Sequence, residues 1–468
     1  MKKTLALISV VLFTTSLYAQ YSALNVSMYA LWDSVGITSE PGFKLRYNGC
    51  WGWVDTADNR EYGIIGSTAG IHIVDITLPA APVQRDFVPG RRDSCIWREM
   101  KTYQNYLYVV SDDAAPNSMQ IIDLSYLPDS VNVVYDSNVL VERAHTMWID
   151  GDKMYLASPK GSFGTSLLGV FSLASPANPV LIRRLEQDYP SLDPAHDMFV
   201  RGDTVYASLG FSGLFMFKFT GALFQNLASL TLYPEQGYNH SSSLTGDGNT
   251  LIFCDEVPTG LEIKSLDVSD FGNLTVLQTF KSDAASTATP HNPFVIGNKS
   301  VVIGYYQDGV QIFDISNPSN IVRTGYFDTN PTDGLGLPNP NFTGCWGVYP
   351  YFPSGVMIAG DMQKGMFILN PDIALDVSTK PIENSSVMNV MPNPARNNIT
   401  VSLSLKENET ISFAIFDLIG QKMYSISKST PSGHNKEMVS IENLPEGIYL
   451  LKISGETFFS SHKIVKTN

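Results

Sequence analysis

Short apolar runs of five or six residues, broken by turn residues, dominate the chain, and one of them recurs. Ile71-His-Ile-Val-Asp-Ile76, Met119-Gln-Ile-Ile-Asp-Leu124 and Val310-Gln-Ile-Phe-Asp-Ile315 are β-branched runs carrying an acid near their end. Degenerate copies occupy 168–173, 213–218, 261–267 and 365–369. Runs this short, rich in Ile and Val, predict buried strands rather than helices. Several lead to Pro and another strand, as at Pro179 and Pro318. A second element precedes each copy: a Cys or His, a strand, a turn, and a strand rich in Tyr or β-branched residues. His145-Thr-Met-Trp-Ile-Asp-Gly-Asp-Lys-Met-Tyr-Leu156 and His196-Asp-Met-Phe-Val-Arg-Gly-Asp-Thr-Val-Tyr206 show the pattern.

These anchors are Cys50, Cys95, His145, His196, His240, His291 and Cys345, spaced 44 to 54 residues apart. Four short strands fill such a unit, and radial units of four antiparallel strands make a β-propeller. Seven anchors predict seven blades. The last copy lacks a fourth strand, whereas a spare strand, Asn25-Val-Ser-Met-Tyr-Ala-Leu-Trp32, precedes the first. An open ring would leave an exposed sheet edge. The expected fold is therefore all-β: a seven-bladed β-propeller closed by an N-terminal strand, then a small C-terminal β-sandwich. The propeller is expected over residues 20–375.

The ends of the chain read differently. Lys2 and Lys3 precede an apolar run from Thr4 to Tyr18 and a small Ala19, which predicts a signal peptide over residues 1–19. No later run approaches about 18 apolar residues, so no transmembrane segment is expected in the mature chain. Residues 376–385 are polar, contain Pro and lack periodicity, as a linker does. Beyond them, 399–405, 411–417, 422–426, 438–441 and 448–453 alternate with period two, which predicts the sandwich over 386–468.

Pro392-Asn-Pro394, Asp417-Leu-Ile-Gly420, Leu444-Pro-Glu-Gly-Ile-Tyr449 and Lys463-Ile-Val-Lys466 together resemble the type A C-terminal sorting domain of the type IX secretion system. That resemblance implies inner-membrane passage, outer-membrane export to the surface or outside, and removal of the domain. It implies the type IX machinery as a partner through residues 386–468. The Ile-Val-Asp strands resemble the LVIVD repeat. The span from Asn25 to Asn370 resembles the choice-of-anchor B proteins. It does so through Trp97-Arg-Glu99, Ala144-His145, Ala195-His-Asp197, Asn239-His240, Cys254-Asp-Glu256, Pro290-His-Asn292, Gly297-Asn298 and Tyr349-Pro-Tyr-Phe-Pro-Ser-Gly355. Thr146 and a short fourth copy depart from that pattern. The resemblance implies an architecture and no particular activity.

Composition sharpens this picture. The 468 residues exceed the roughly 250–300 that one core supports. Charged residues make up 16%, against about 25% in ordinary soluble domains, which suits an all-β chain. The net charge is −14, and residues 21–375 hold 20 basic and 36 acidic residues. Such a surface excludes a phosphate-backbone partner and favours cationic or neutral ligands.

In a propeller the first strand of each blade lines the central channel, so the anchors form a ring. His145, His196, His240 and His291 are candidate metal ligands, with Cys50, Cys95 and Cys345 completing the ring. Imidazole and thiolate suit zinc, copper or nickel. Asp197, Asp255 and Glu256 are candidate supporting or base residues. A metal there would acidify a bound water and make a hydrolase possible. The same histidines can instead hydrogen-bond the backbone of the next blade, and the sequence leaves both readings open. Trp51, Trp53, Trp97, Trp148 and Trp346 either stack on sugars at a channel mouth or pack between blades. Cys254 lies off the ring and reads as a buried thiol. There is no Gly-x-Ser-x-Gly elbow, His-Glu-x-x-His, P-loop or dinucleotide fingerprint. Function thus reads as a surface propeller binding a ligand, peptide or glycan at its channel face, with a metal-dependent hydrolase as the alternative.

Overall fold

The computed structural model describes residues 21–113, 117–331, 336–337, 340–376, 387–405, 407–416, 422–455 and 459–467. The expected signal peptide, the Asp417-Leu-Ile-Gly420 turn and nearly all of the expected linker lie outside the described residues. Among those described, no helix is long and apolar enough to cross a membrane.

Between Ala23 and Asn370 the strands form seven antiparallel sheets of at least four strands, plus a small hairpin of Lys160–Gly161 with Gly164–Thr165. In each of the first six sheets, four strands pair in sequence order. The first sheet, for example, runs Tyr47–Asp55, Arg60–Ser67, Gly70–Asp75, Val83–Pro89. The seventh supplies only Cys345–Tyr349, Met357–Asp361 and Gly365–Asn370 from its own stretch of chain. Its fourth strand is the N-terminal Ser27–Trp32, paired antiparallel to Gly365–Asn370. No single sheet closes on itself.

The recurring Ile-Val-Asp run is the third strand of each sheet. Burial on both faces explains its unbroken apolar character: Gly70–Asp75 and Val310–Asp314 are buried throughout. The terminal acid turns the chain. Oδ1 of Asp75, Asp123, Asp267 and Asp314 accepts the backbone N–H two residues on. Ser172 and Asn370 do the same in their copies. Every pairing of a third with a fourth strand carries a register shift, and the Ser27–Trp32 pairing carries one between Met28 and Ala30.

The first strands contact one another in cyclic order: Tyr47–Asp55 with Arg98–Tyr103, then Met147–Asp150, Asp197–Arg201, Asn239–Leu244, Asn292–Ile296 and Cys345–Tyr349, which contacts Tyr47–Asp55 again. Apolar clusters lie between successive sheets. Another joins the seventh to the first through Tyr47, Ile65, Val74, Ile358, Met366 and Ile368.

The expected N-terminal strand, residues 25–32, begins two residues later, at Ser27. Asn25 adopts a left-handed φ of 56° ahead of it. Asn tolerates that region better than most residues, and its Nδ2 donates to the Thr324 carbonyl at 2.8 Å. Ala23–Leu24 consequently pairs with the sixth sheet's Val322–Phe327, and only Ser27–Trp32 reaches the seventh.

The C-terminal residues form a three-stranded and a four-stranded sheet. Alternate side chains of both sheets, including Ile399, Val401, Leu403, Phe413, Ile415, Leu451 and Ile453, fill one core.

Candidate functional site

The four histidines open four successive first strands and stack side by side. Ring centroids are 4.1 Å apart for His145 and His196, 4.4 Å for His196 and His240, and 4.3 Å for His240 and His291. Most Nδ1 atoms face outward to an acceptor. Nδ1 of His145 lies 2.9 Å from Asp112 Oδ2, and that of His196 lies 3.4 Å from the His240 carbonyl. Nδ1 of His291 lies 2.6 Å from the Trp346 carbonyl. Nδ1 of His240 is buried and makes no hydrogen bond. Backbone carbonyls thus anchor the rings of His196 and His291, and the Asp112 carboxylate anchors that of His145.

The charge on the row is uneven. Burial lowers the pKa of His291 to about 3, with His240 adding to the effect. Burial likewise brings His240 to about 3, helped by the charge of His145. His196 falls well below the ordinary imidazole value because of burial and then its neighbours His145 and His240. Burial also lowers His145, but the hydrogen bond and charge of Asp112, with Asp197 and Glu99, outweigh it and leave the pKa raised. Of the four, His145 alone is shifted toward the charged form.

The four imidazoles form a row and not one coordination sphere. Among the described residues, the donor group that comes together is His196, His240 and Glu256, with one atom of each within 4.8 Å of the others. Glu256 Oε2 lies 3.8 Å from His240 Nε2, and its Oε1 accepts a 3.0 Å hydrogen bond from the Tyr306 hydroxyl. Asp255 lies elsewhere, buried against Lys264 Nζ at 2.6 Å and the Tyr233 hydroxyl at 2.8 Å.

The ring cysteines stand apart from this group. Cys95 Sγ lies 2.7 Å from Asp113 Oδ2 and 2.8 Å from Ser111 Oγ. Cys345 Sγ faces the Gly347 carbonyl at 3.6 Å. All four cysteines are free thiols. Burial pushes Cys50 and Cys95 up to about 12 and Cys345 well above the ordinary value. Cys254 is buried on a second strand.

The residue after several anchors faces another space. Thr146, Asp197, Ser241 and Asn292 line a chamber of about 30 Å³ together with Cys50, Glu99 and Lys101. Lys101 Nζ sits 4.0 Å above the Trp51 ring, and burial lowers its pKa. Burial raises Asp197 to about 7, against the Met198 N–H and Lys101. Glu99 accepts the Trp346 indole N–H at 2.8 Å. Glu99 and Lys101 sit two apart on one strand, so alternation puts both on one face; that charged pair inside a first strand is the signal by which the sequence marks them.

At the other side of His145 and His196 opens a cleft of about 410 Å³. Asp112, Asp193, Phe211 and Tyr238 also line it. Phe211 is 65% exposed and meets Tyr238 edge-on at 5.1 Å, and Tyr238 meets His196 in the same way at 5.1 Å. Of the tryptophans, Trp32, Trp53 and Trp346 are buried, while Trp51, Trp97 and Trp148 are half-buried; none lines the cleft.

Residues 389–467 match the secretion system C-terminal sorting domain family, and residues 301–329 match the LVIVD repeat. No curated protein matches the sequence. The β-propeller domain of Myceliophteria thermophila Cps50 (Swd1) is similar in structure. It is 11% identical, with 74% of this chain and 99% of that one covered and a TM-score of 0.50. The WD40 β-propeller domain of Doa1 is 10% identical, covering 76% and 100%, also with a TM-score of 0.50. Likeness at such identity bears on fold alone. The protein is of the β-propeller class. It carries an LVIVD repeat and a type IX sorting tail, which directs export to the cell surface or outside; the choice-of-anchor B resemblance is compatible with both.

Proposed function

We propose that residues 20–375 are a seven-bladed propeller closed by Ser27–Trp32, exported after loss of residues 1–19 and tethered through linker 376–385 to the sorting domain 386–468. The cyclic contacts of the first strands and the cluster joining the seventh sheet to the first support the ring. So does the register shift that Ser27–Trp32 shares with the other fourth strands.

Its role in this reading is to bind an extracellular saccharide in the cleft beside His145 and His196. The single observation carrying this is the cleft's lining, in which the contacting rings of Phe211, Tyr238 and His196 share one space with the carboxylates of Asp112 and Asp193. Aromatic faces receive the apolar side of a sugar ring, and carboxylates accept its hydroxyls. The acidity of residues 21–375 suits neutral or cationic sugars. The test is a glycan and peptide array probed with the full chain and with Phe211→Ser. Saccharide binding that falls at least tenfold in the variant is expected. Binding unchanged by the substitution, or confined to peptides, contradicts the reading.

A metal-dependent hydrolase is the second reading, favoured by the His196, His240 and Glu256 group alone. Turnover of an arrayed ligand that Glu256→Gln abolishes would move the assignment there.

A further inference from the structure

We propose that His196, His240 and Glu256 bind one divalent transition-metal ion of the zinc type. This rests on the donor group itself and not on the saccharide reading.

The chemistry of the set is specific. Two imidazoles and one carboxylate are a complete protein ligand set for a four-coordinate zinc ion that keeps one position for water. The supporting contacts orient the donors as such a site requires. His196 has its Nδ1 at the His240 carbonyl, which leaves its Nε2 lone pair unused. Tyr306 holds one oxygen of Glu256, which leaves the other oxygen turned to His240.

His240 supplies the second, independent observation. It is only 3% exposed, its Nδ1 has no hydrogen-bond partner, and its Nε2 approaches Glu256 no closer than 3.8 Å. That distance is too long for a hydrogen bond. A metal at Nε2 would fix the ring proton on Nδ1, the nitrogen that turns away from Glu256. The donors must draw in from their present spread to about 3.3 Å, the separation set by bonds of roughly 2.0–2.1 Å in a tetrahedron. Rotation of the long Glu256 side chain supplies much of that movement. His145 stays outside the group, bound to Asp112.

The test uses the untagged full chain, stripped with a chelator and titrated with zinc chloride by calorimetry, then with cobalt(II) by visible absorption. One zinc per chain is expected, with cobalt giving the intense visible bands of tetrahedral coordination. His240→Ala risks misfolding, so the deciding variants are milder. Glu256→Gln should weaken zinc by about a hundredfold, and Tyr306→Phe by roughly 10–100-fold. His145→Gln should leave one zinc bound within threefold of the original affinity. Absence of stoichiometric zinc would overturn the proposal. So would zinc held as tightly by Glu256→Gln as by the unaltered chain, or zinc lost on His145→Gln.

Discussion

His72 is buried in the first sheet, where its two ring nitrogens lie 3.1 Å from Gln84 Oε1 and 3.0 Å from Ser67 Oγ. Burial lowers its pKa to about 4. The unfolded chain therefore takes up the proton first. His72 contributes its full stabilisation above about pH 6.5 and loses it as the pH falls toward 4, a change on the order of 3 kcal/mol. Urea unfolding at pH 7 and pH 4 should show that loss in the original chain, with His72→Gln losing correspondingly less. An identical loss in both would contradict it. At this scale the repeat made the anchors legible, because equivalent positions carry His or Cys. The unequal behaviour of those anchors was not legible. Asp112 and Tyr306 come from other copies of the repeat than the His145 and Glu256 they meet, and no spacing within one copy records which neighbouring copy lies near. The sequence could not separate the adjacent acids Asp255 and Glu256, yet Asp255, at the end of its strand, meets Lys264, and Glu256, just beyond it, turns to His240.

Third strands are the most legible elements of the chain, since their burial and their terminal acid are both local requirements. In the fifth sheet, Oδ1 of Asp267 accepts the Ser269 N–H at 2.9 Å and the Ser269 hydroxyl at 2.6 Å. Asp267→Ala should cost about 0.5–1.5 kcal/mol, because the turn loses hydrogen bonds near solvent and leaves no deeply buried group stranded. Chemical denaturation measures this, and an unchanged midpoint would show that the acid does not hold the turn. Fourth strands are harder to read: they are exposed along one side, as in Asn132–Ser137, and their pattern is weak. The N-terminal segment shows the limit. Its expected strand, residues 25–32, starts only at Ser27, because Asn25 meets Thr324 some 300 residues away, and the preceding Ala23–Leu24, unmarked in the sequence, pairs with the sixth sheet.

At the scale of the whole molecule, residues 21–375 carry the acidity and residues 386–468 are nearly neutral, with 8 basic and 7 acidic residues. By charge alone, residues 21–375 repel anionic surfaces. The cleft and the histidine row both presuppose that the seventh sheet returns to the first. Besides the apolar cluster there, Met362 O accepts the N–H groups of Arg46 and Tyr47, and Glu61 Oε1 accepts the Ser354 N–H at 2.9 Å. Ser27–Trp32 caps that junction, with Trp32 in the same cluster. Without it, the edge of Gly365–Asn370 is unpaired and free to associate. Thermal unfolding of the chain lacking residues 21–33, followed by light scattering, is the most direct test. A ring closed by this strand predicts aggregation or loss of the cooperative transition. A deleted chain that melts as the full chain does, without scattering, would contradict it.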